Sequence, residues 1–256
     1  MKKLIIGNWK MNLNMHEASL YLHKLTEAIP PQRTIEVVLA PTMLTLQSLS
    51  LQVNRRQFKL AAQNCYWRDH GAYTGEVPAS HLRGIADYVL IGHSERRYMF
   101  SETDKDIRSK VQAAIRNNIQ PVLCIGETAS ERTNGETRDV INDQLVGGLA
   151  NLTTDELDQL VVAYEPVWAV GTGNNATSAD VKEVVKIIKH QIGQLFGSKA
   201  VKDVRVLYGG SVTTDNAESY WLNADIDGLL IGGASLNAYH FSEIVDKAYK
   251  LEGGRS

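Results

Sequence analysis

The sequence predicts a single α/β domain, a (β/α)8 barrel. Three observations carry this. The chain has 256 residues, the size of one such barrel. Short β-branched runs recur along it, each followed by a helix-like stretch. Several of these runs are apolar almost throughout rather than alternating, as parallel strands are when both faces of the sheet are covered. No linker or composition shift divides the chain, so the domain is expected to span 1–256.

The strands are expected at residues 4–9, 35–40, 59–63, 88–92, 122–126, 160–164, 204–208 and 228–231. Amphipathic stretches at 107–115, 179–195 and 241–251 supply helices that cover the sheet. Thr103-Asp104 and Ser178 stand where N-caps stand. The opening, Met1-Lys2-Lys3-Leu4-Ile5-Ile6-Gly7-Asn8, has the charge and apolar start of a signal peptide. Its apolar segment is short and meets Asn8 and Lys10 at once, so it is a first strand. The alternative fold, an open doubly wound sheet, calls for a Gly-x-Gly-x-x-Gly turn after an early strand. None is present.

Charge and composition narrow the function. The 27 Lys+Arg and 29 Asp+Glu give a net charge of −2. Such a balance points to neither a nucleic-acid partner nor an anionic membrane. No apolar run approaches the roughly 20 residues of a membrane span. Hydrophobic residues make up 43% of the chain, enough for a sizeable core. Cys65 and Cys124 lack metal-ligand spacing and are expected as reduced thiols in a cytoplasmic protein.

In a barrel the C-terminal strand ends carry the chemistry. Here those ends bring together Asn8 and Lys10, Gln63-Asn64, His93, Glu127, Glu165, Gly209-Gly210-Ser211 and Gly232-Gly233. Polar, titratable and glycine residues thus converge on one rim. Glu165 follows the sixth strand and precedes Pro166, which turns the chain away. An isolated Glu-Pro is most often a surface turn. The apolar Val167-Trp168-Ala169-Val170 and the closing Gly171-Thr172-Gly173 argue instead for a carboxylate base beside a loop that can cover it. Gly209-Gly210-Ser211 and Gly232-Gly233-Ala234-Ser235 follow adjacent strands. Two glycine turns there let backbone N–H groups approach a phosphate.

Lys10 sits between apolar Trp9 and Met11, where it can offset a substrate's charge. Asn8 lies two residues earlier on the same side of the strand and can hydrogen-bond a substrate oxygen. His93 precedes a helix start, whose positive end disfavours an imidazolium there. A neutral ring can donate a hydrogen bond to a carbonyl. Glu95 has two readings, a surface pair with Arg96 or Arg97 and a contact to Lys10 across the barrel mouth. Cys124 is a small core residue. Together these parts suit proton abstraction beside a carbonyl in a small phosphorylated sugar. A barrel aldolase needs a strand-borne lysine nucleophile, and a metal-dependent epimerase needs paired His and Asp ligands. Neither pattern is in the sequence, and a non-catalytic barrel would be expected to have lost Glu165, His93 or Lys10.

Several motifs resemble those of the triosephosphate isomerase family: Gly7-Asn8-Trp9-Lys10-Met11-Asn12, Ala62-Gln63-Asn64, Gly71-Ala72-Tyr73-Thr74-Gly75-Glu76, Ile91 to Arg97, Ala163 to Gly173, Tyr208 to Val212 and Ile231 to Leu236. The resemblance implies interconversion of glycerone phosphate and glyceraldehyde 3-phosphate with no cofactor and no metal. It assigns the proton transfer at carbon to Glu165 and polarisation of the carbonyl to His93. Lys10 and Asn8 would stabilise the developing charge, with Glu95 beside them. Gly171, Ser211, Gly232 and Gly233 would hold the phosphate. It also implies a homodimer in which the segment from Cys65 to Ala79 reaches into a second copy and sets Thr74 near that copy's Asn8 and Lys10. Two departures stand out. The far end of the covering loop reads Asn174-Asn175-Ala176 where the family commonly has Lys-Thr-Ala, and Lys189 stands where the family often has an Arg as partner for Asp227. Lysine lacks the bidentate fork of arginine.

Overall fold

The computed structural model describes residues 1–31, 33–169, 175–222 and 225–253. Strands β1 (Lys3–Asn8), β2 (Ile35–Ala40), β3 (Lys59–Ala62), β4 (Tyr88–Ile91), β5 (Gln120–Ile125), β6 (Val161–Tyr164), β7 (Arg205–Tyr208) and β8 (Gly228–Ile231) pair in chain order, and β8 closes onto β1. Every ladder is parallel. Helices α1 (Met15–Ala28), α2 (Met43–Gln52), α3 (Ala79–Leu82), α4 (Ser94–Met99), α5 (Asp104–Arg116), α6 (Ala129–Thr133), α7 (Thr137–Leu149), α8 (Ser178–Phe196), α9 (Ala217–Trp221) and α10 (Ala238–Leu251) make the connections. The eight expected strands are all present, with no end displaced by more than two residues.

The strands have two apolar faces because two cores form around them. Leu4, Ile6, Val38, Ala40, Ala61, Tyr88, Leu90, Val122, Cys124, Val161, Ala163, Leu207 and Leu230 fill the lumen. The residues between them, such as Ile5, Leu39, Leu60, Val89, Leu123 and Val162, pack outward against the helices. A period of two separates the sets. Continuing the lumen parity reaches Asn8, the last residue of β1, from Ile6, and Glu165, one step past β6, from Ala163. Both are buried. The strand pattern therefore aims these polar side chains into the barrel mouth.

The opposite, N-terminal end of the lumen is closed by polar side chains. Arg205 donates to the Tyr88 hydroxyl and to Gln120 Oε1, both at 2.9 Å. Glu36 pairs with Lys59 at 2.8 Å and accepts from Tyr88. Burial pushes the Glu36 carboxyl upward, but hydrogen bonds from Lys59 and Tyr88 and the charges of Lys59 and Arg205 outweigh it, leaving the group below its usual range. A depressed folded value contributes stability above the unfolded value, lost as pH falls through the folded value. Replacing Glu36 with Gln leaves two cations facing each other, at a cost of about 3 kcal/mol at pH 7. The variant should also lose less stability than the parent below about pH 4. Urea unfolding at pH 7 and at about pH 3 checks both, and equal stability at pH 7 contradicts the expectation.

Capping is correct at Thr103, whose side chain accepts from the Asp106 N–H in a reciprocal box. At α8 the cap is Thr177 rather than Ser178, which is the first helical residue. Thr177 and Asp180 form the box, and the spacing to an acidic third residue would have shown it. Lys189 lies 4.0 Å from Asp227 and donates instead to the Asp225 carbonyl at 2.7 Å. The brace expected to Asp227 is thus mostly a contact to backbone. No described helix is long and apolar enough to cross a membrane.

Candidate active site

A cavity of about 520 Å³ opens at the C-terminal end of the barrel. It is lined by Asn8, Lys10, His93 and Glu165 and by the turns through Gly209-Gly210-Ser211 and Gly232-Gly233. Each polar group is held by its own turn and by partners from other strand ends. β1 ends at Asn8, whose side chain accepts from the Lys10 N–H at 3.1 Å. Lys10 has a φ of 51°, a conformation that costs a residue with a Cβ. Gln63 fixes it there, donating to the Lys10 carbonyl at 2.8 Å and the Ala40 carbonyl at 2.9 Å. The lysine side chain crosses toward β8, with Cε 3.5 Å from where a Cβ on Gly232 would stand. Its Nζ bonds Glu95 Oε1 at 2.6 Å. Of the two readings of Glu95, the contact to Lys10 is the one present.

His93 caps α4 with its ring. Its Nδ1 accepts from the Glu95 N–H at 3.2 Å, so the proton of a neutral imidazole resides on Nε2. That atom lies 3.1 Å from Glu165 Oε1. Glu165 Oε2 accepts from the Ser94 N–H at 3.0 Å. The buried carboxylate thus has a ring donor on one oxygen and a helix-start donor on the other. Its main chain is equally confined. The Glu165 N–H donates to the Ile125 carbonyl at 2.8 Å, and a Cβ on Gly126 would lie 1.7 Å from the Glu165 carbonyl oxygen. A Cβ on Gly209 would lie 3.0 Å from Glu165 Cγ. Gly126 thus leaves room for the Glu165 main chain and Gly209 for its side chain.

Behind this layer, Glu102 bridges Arg96 at 2.8 Å and Lys110, and Lys110 donates to Asn64 at 2.8 Å. The cluster secures the chain after β3 to the end of α4. Ser235 closes the β8 turn, its N–H and hydroxyl donating to the Gly232 carbonyl at 2.9 and 2.7 Å. Burial pushes the Cys65 thiol up to about 12 and the Cys124 thiol well above its ordinary value. Both are buried thiols with no disulfide, so neither is a nucleophile near neutral pH.

Against known proteins, the family model described as triosephosphate isomerase matches residues 3–248. The chain belongs to the triosephosphate isomerase family. It is 43% identical over 249 residues to the triosephosphate isomerase of Chloroherpeton thalassium, covering 96% of this chain and 99% of the relative. Identity to that of Trichlorobacter lovleyi is 42%, covering 94% and 97%. The crystal structure of triosephosphate isomerase from Bartonella henselae superposes with a TM-score of 0.87 at 37% identity, covering 98% of this chain and all of that one.

Asn8, Lys10, His93, Glu165, Ser211, Gly232 and Gly233 all line the cavity. Glu95 joins them through Lys10 and lines an adjoining cavity of about 560 Å³. Gly171 lies outside the described residues, as does most of the covering loop, 170–174. Glu127, on the expected rim, faces away from the 520 Å³ cavity. It is fully buried and accepts from the Tyr164 hydroxyl at 3.1 Å and the Trp168 indole N–H at 3.0 Å. Sequence reasoning missed Ser94, whose N–H holds the Glu165 carboxylate, and Gly126, whose lack of a Cβ leaves room for the Glu165 main chain. Gly126 fell inside an expected strand, and nothing local marks a backbone donor.

Proposed function

We propose that this site interconverts glycerone phosphate and D-glyceraldehyde 3-phosphate through an enediolate, as an aldose–ketose isomerase of glycolysis and gluconeogenesis in the cytoplasm, within one domain spanning 1–256. The observation that carries it is the pair of Glu165 Oε1 and His93 Nε2 at 3.1 Å, with Lys10 and the glycine turns around the same cavity. A substrate carbonyl can replace the carboxylate as acceptor for the His93 N–H. Glu165 is then free to take a proton from the adjacent carbon and return it to the neighbouring one. His93 polarises the carbonyl and moves protons between the enediolate oxygens. Lys10 and Asn8 stabilise the charge that develops there, and Glu95 holds the Lys10 ammonium in place. Ser211, Gly232 and Gly233, joined by Gly171, take the phosphate by backbone N–H groups. A coupled assay with glyceraldehyde 3-phosphate tests the reaction, and absence of turnover in folded protein refutes it.

The active assembly in this reading is a homodimer. The segment from Cys65 to Ala79 is ordered by Tyr66, which stacks on Trp67 at 4.0 Å and meets Tyr73 at 4.6 Å, and by the Tyr66 N–H donating to the Val77 carbonyl at 2.8 Å. At its tip Tyr73 is 41% exposed, and nearby Met11 and Phe100 are exposed at 92% and 67% around the second cavity. These apolar groups suit a second copy. The Thr74→Arg change would bury a charge without a partner at that contact. The expected product is a folded monomer with turnover lowered on the order of tenfold, as Asn8 and Lys10 lose support. Sedimentation velocity, circular dichroism and the coupled assay check it; a folded monomer with full turnover means that each site stands alone.

A further inference from the structure

We propose that Arg132 is a positioning residue for the isomerisation: it fixes Trp168, and through it the turn carrying Glu165, against the start of α8. The inference rests on the role of Glu165 given above. Trp168 lies three residues after Glu165, in the short turn Val167–Ala169. The Arg132 guanidinium lies over its indole, 4.4 Å from the ring centroid. The same guanidinium reaches Asp180 Oδ1 at 2.7 Å and Glu127 Oε1 at 3.4 Å. Glu127 also grips the turn, taking the Trp168 indole N–H on its side chain and the Val167 N–H on its carbonyl at 3.1 Å. Asp180 is held in turn by Thr177, whose N–H and hydroxyl donate at 2.9 and 2.6 Å. One cation therefore joins the chain on both sides of residues 170–174.

The geometry favours arginine over lysine. A planar cation can stack on an indole and direct separate N–H groups to two carboxylates, whereas an ammonium is a point charge that serves such partners less well. Capping by Thr128, with its reciprocal box to Glu131, fixes the helix α6 that presents Arg132. Nothing from Arg132 enters the substrate cavity. Its effect on the reaction must pass through Trp168 and the backbone leading back to Glu165.

The test uses Arg132→Met and Arg132→Lys in the full chain labelled with 5-fluorotryptophan, the Trp168 signal being assigned from Trp168→Phe. In Arg132→Met, kcat is expected to fall about tenfold with KM within about twofold, because the carboxylate is misplaced while the phosphate turns are intact. The Trp168 fluorine resonance should shift or broaden while circular dichroism is unchanged. Arg132→Lys should fall between parent and Met in both readouts, and it serves alone if the Met variant does not fold. Unchanged kcat in a folded variant overturns the proposal, and so does a kcat loss with an unmoved Trp168 resonance. Lack of isomerase activity in the parent would defeat the functional reading, yet the fluorine signal would still decide whether Arg132 holds Trp168.

Discussion

Glu165→Gln should lower turnover by roughly 10²–10⁴-fold while leaving the fold and KM nearly intact. The replacement matches the carboxylate in shape. Its amide oxygen can still accept from the Ser94 N–H, so one of the two contacts that seat the side chain survives. The contact to His93 changes character, because an amide N–H facing His93 Nε2–H has no acceptor to offer. What disappears is the ability to take a proton from carbon. The substitution leaves the backbone N–H groups of the phosphate turns in place, which is why KM should hold. Such a pattern, kcat lost and binding kept, marks a group that acts in the transition state. The coupled assay gives both constants, and circular dichroism confirms folding. Turnover within tenfold of the parent would remove Glu165 from the role of base.

The barrel was legible because parallel strands covered on both faces must be apolar on both parities, and several runs here are, almost throughout. Asn8 and Glu165 were legible for the same reason: each continues the inward parity by one step, where an apolar residue would otherwise stand. His93 and Lys10 lie just past their strands, where parity no longer applies. They were found by residue type and by the company they keep. The left-handed backbone of Lys10 left no trace in sequence, since Gln63, more than 50 residues away, holds it. The same is true of the Ser94 N–H on Glu165, since every residue carries such a donor. Glu127 follows its strand as expected but meets a buried tryptophan, because a polar residue there looks the same in sequence whether its partner is substrate or protein. The Glu95 contact stayed open between two readings until distance decided it, because nearby cations compete for any carboxylate. Local patterns thus report which face a residue occupies, while partners distant along the chain decide what it does there.

Gly126→Ala should lower turnover on the order of 10²-fold or more, although the substitution touches no substrate. The added Cβ would stand 1.7 Å from the Glu165 carbonyl oxygen and 2.7 Å from its carbonyl carbon. Both are main-chain atoms, so no side-chain rotation can make room. An ordinary carbon–oxygen contact is about 3.3 Å, and the rims of β5 and β6 would have to part by roughly 1.5 Å to restore one. The bond from the Glu165 N–H to the Ile125 carbonyl, at 2.8 Å, resists that parting. Whatever strain remains, about 1–3 kcal/mol by analogy with overpacked cores, should lower the melting temperature. The carboxylate moves with its backbone, and a catalytic group displaced by more than about half an ångström loses its geometry. A displacement near 1 Å costs on the order of 10²-fold in rate. Gly209 offers the contrast. There the added Cβ would meet Glu165 Cγ at 3.0 Å, a side-chain atom that can yield by a few tenths of an ångström. Gly209→Ala should therefore be milder in both rate and stability. Turnover and melting curves for the two variants, measured on soluble folded protein, compare backbone displacement with side-chain displacement at the same carboxylate. Gly126→Ala with turnover within a few-fold of the parent would show that the strands can separate without carrying Glu165 away from His93.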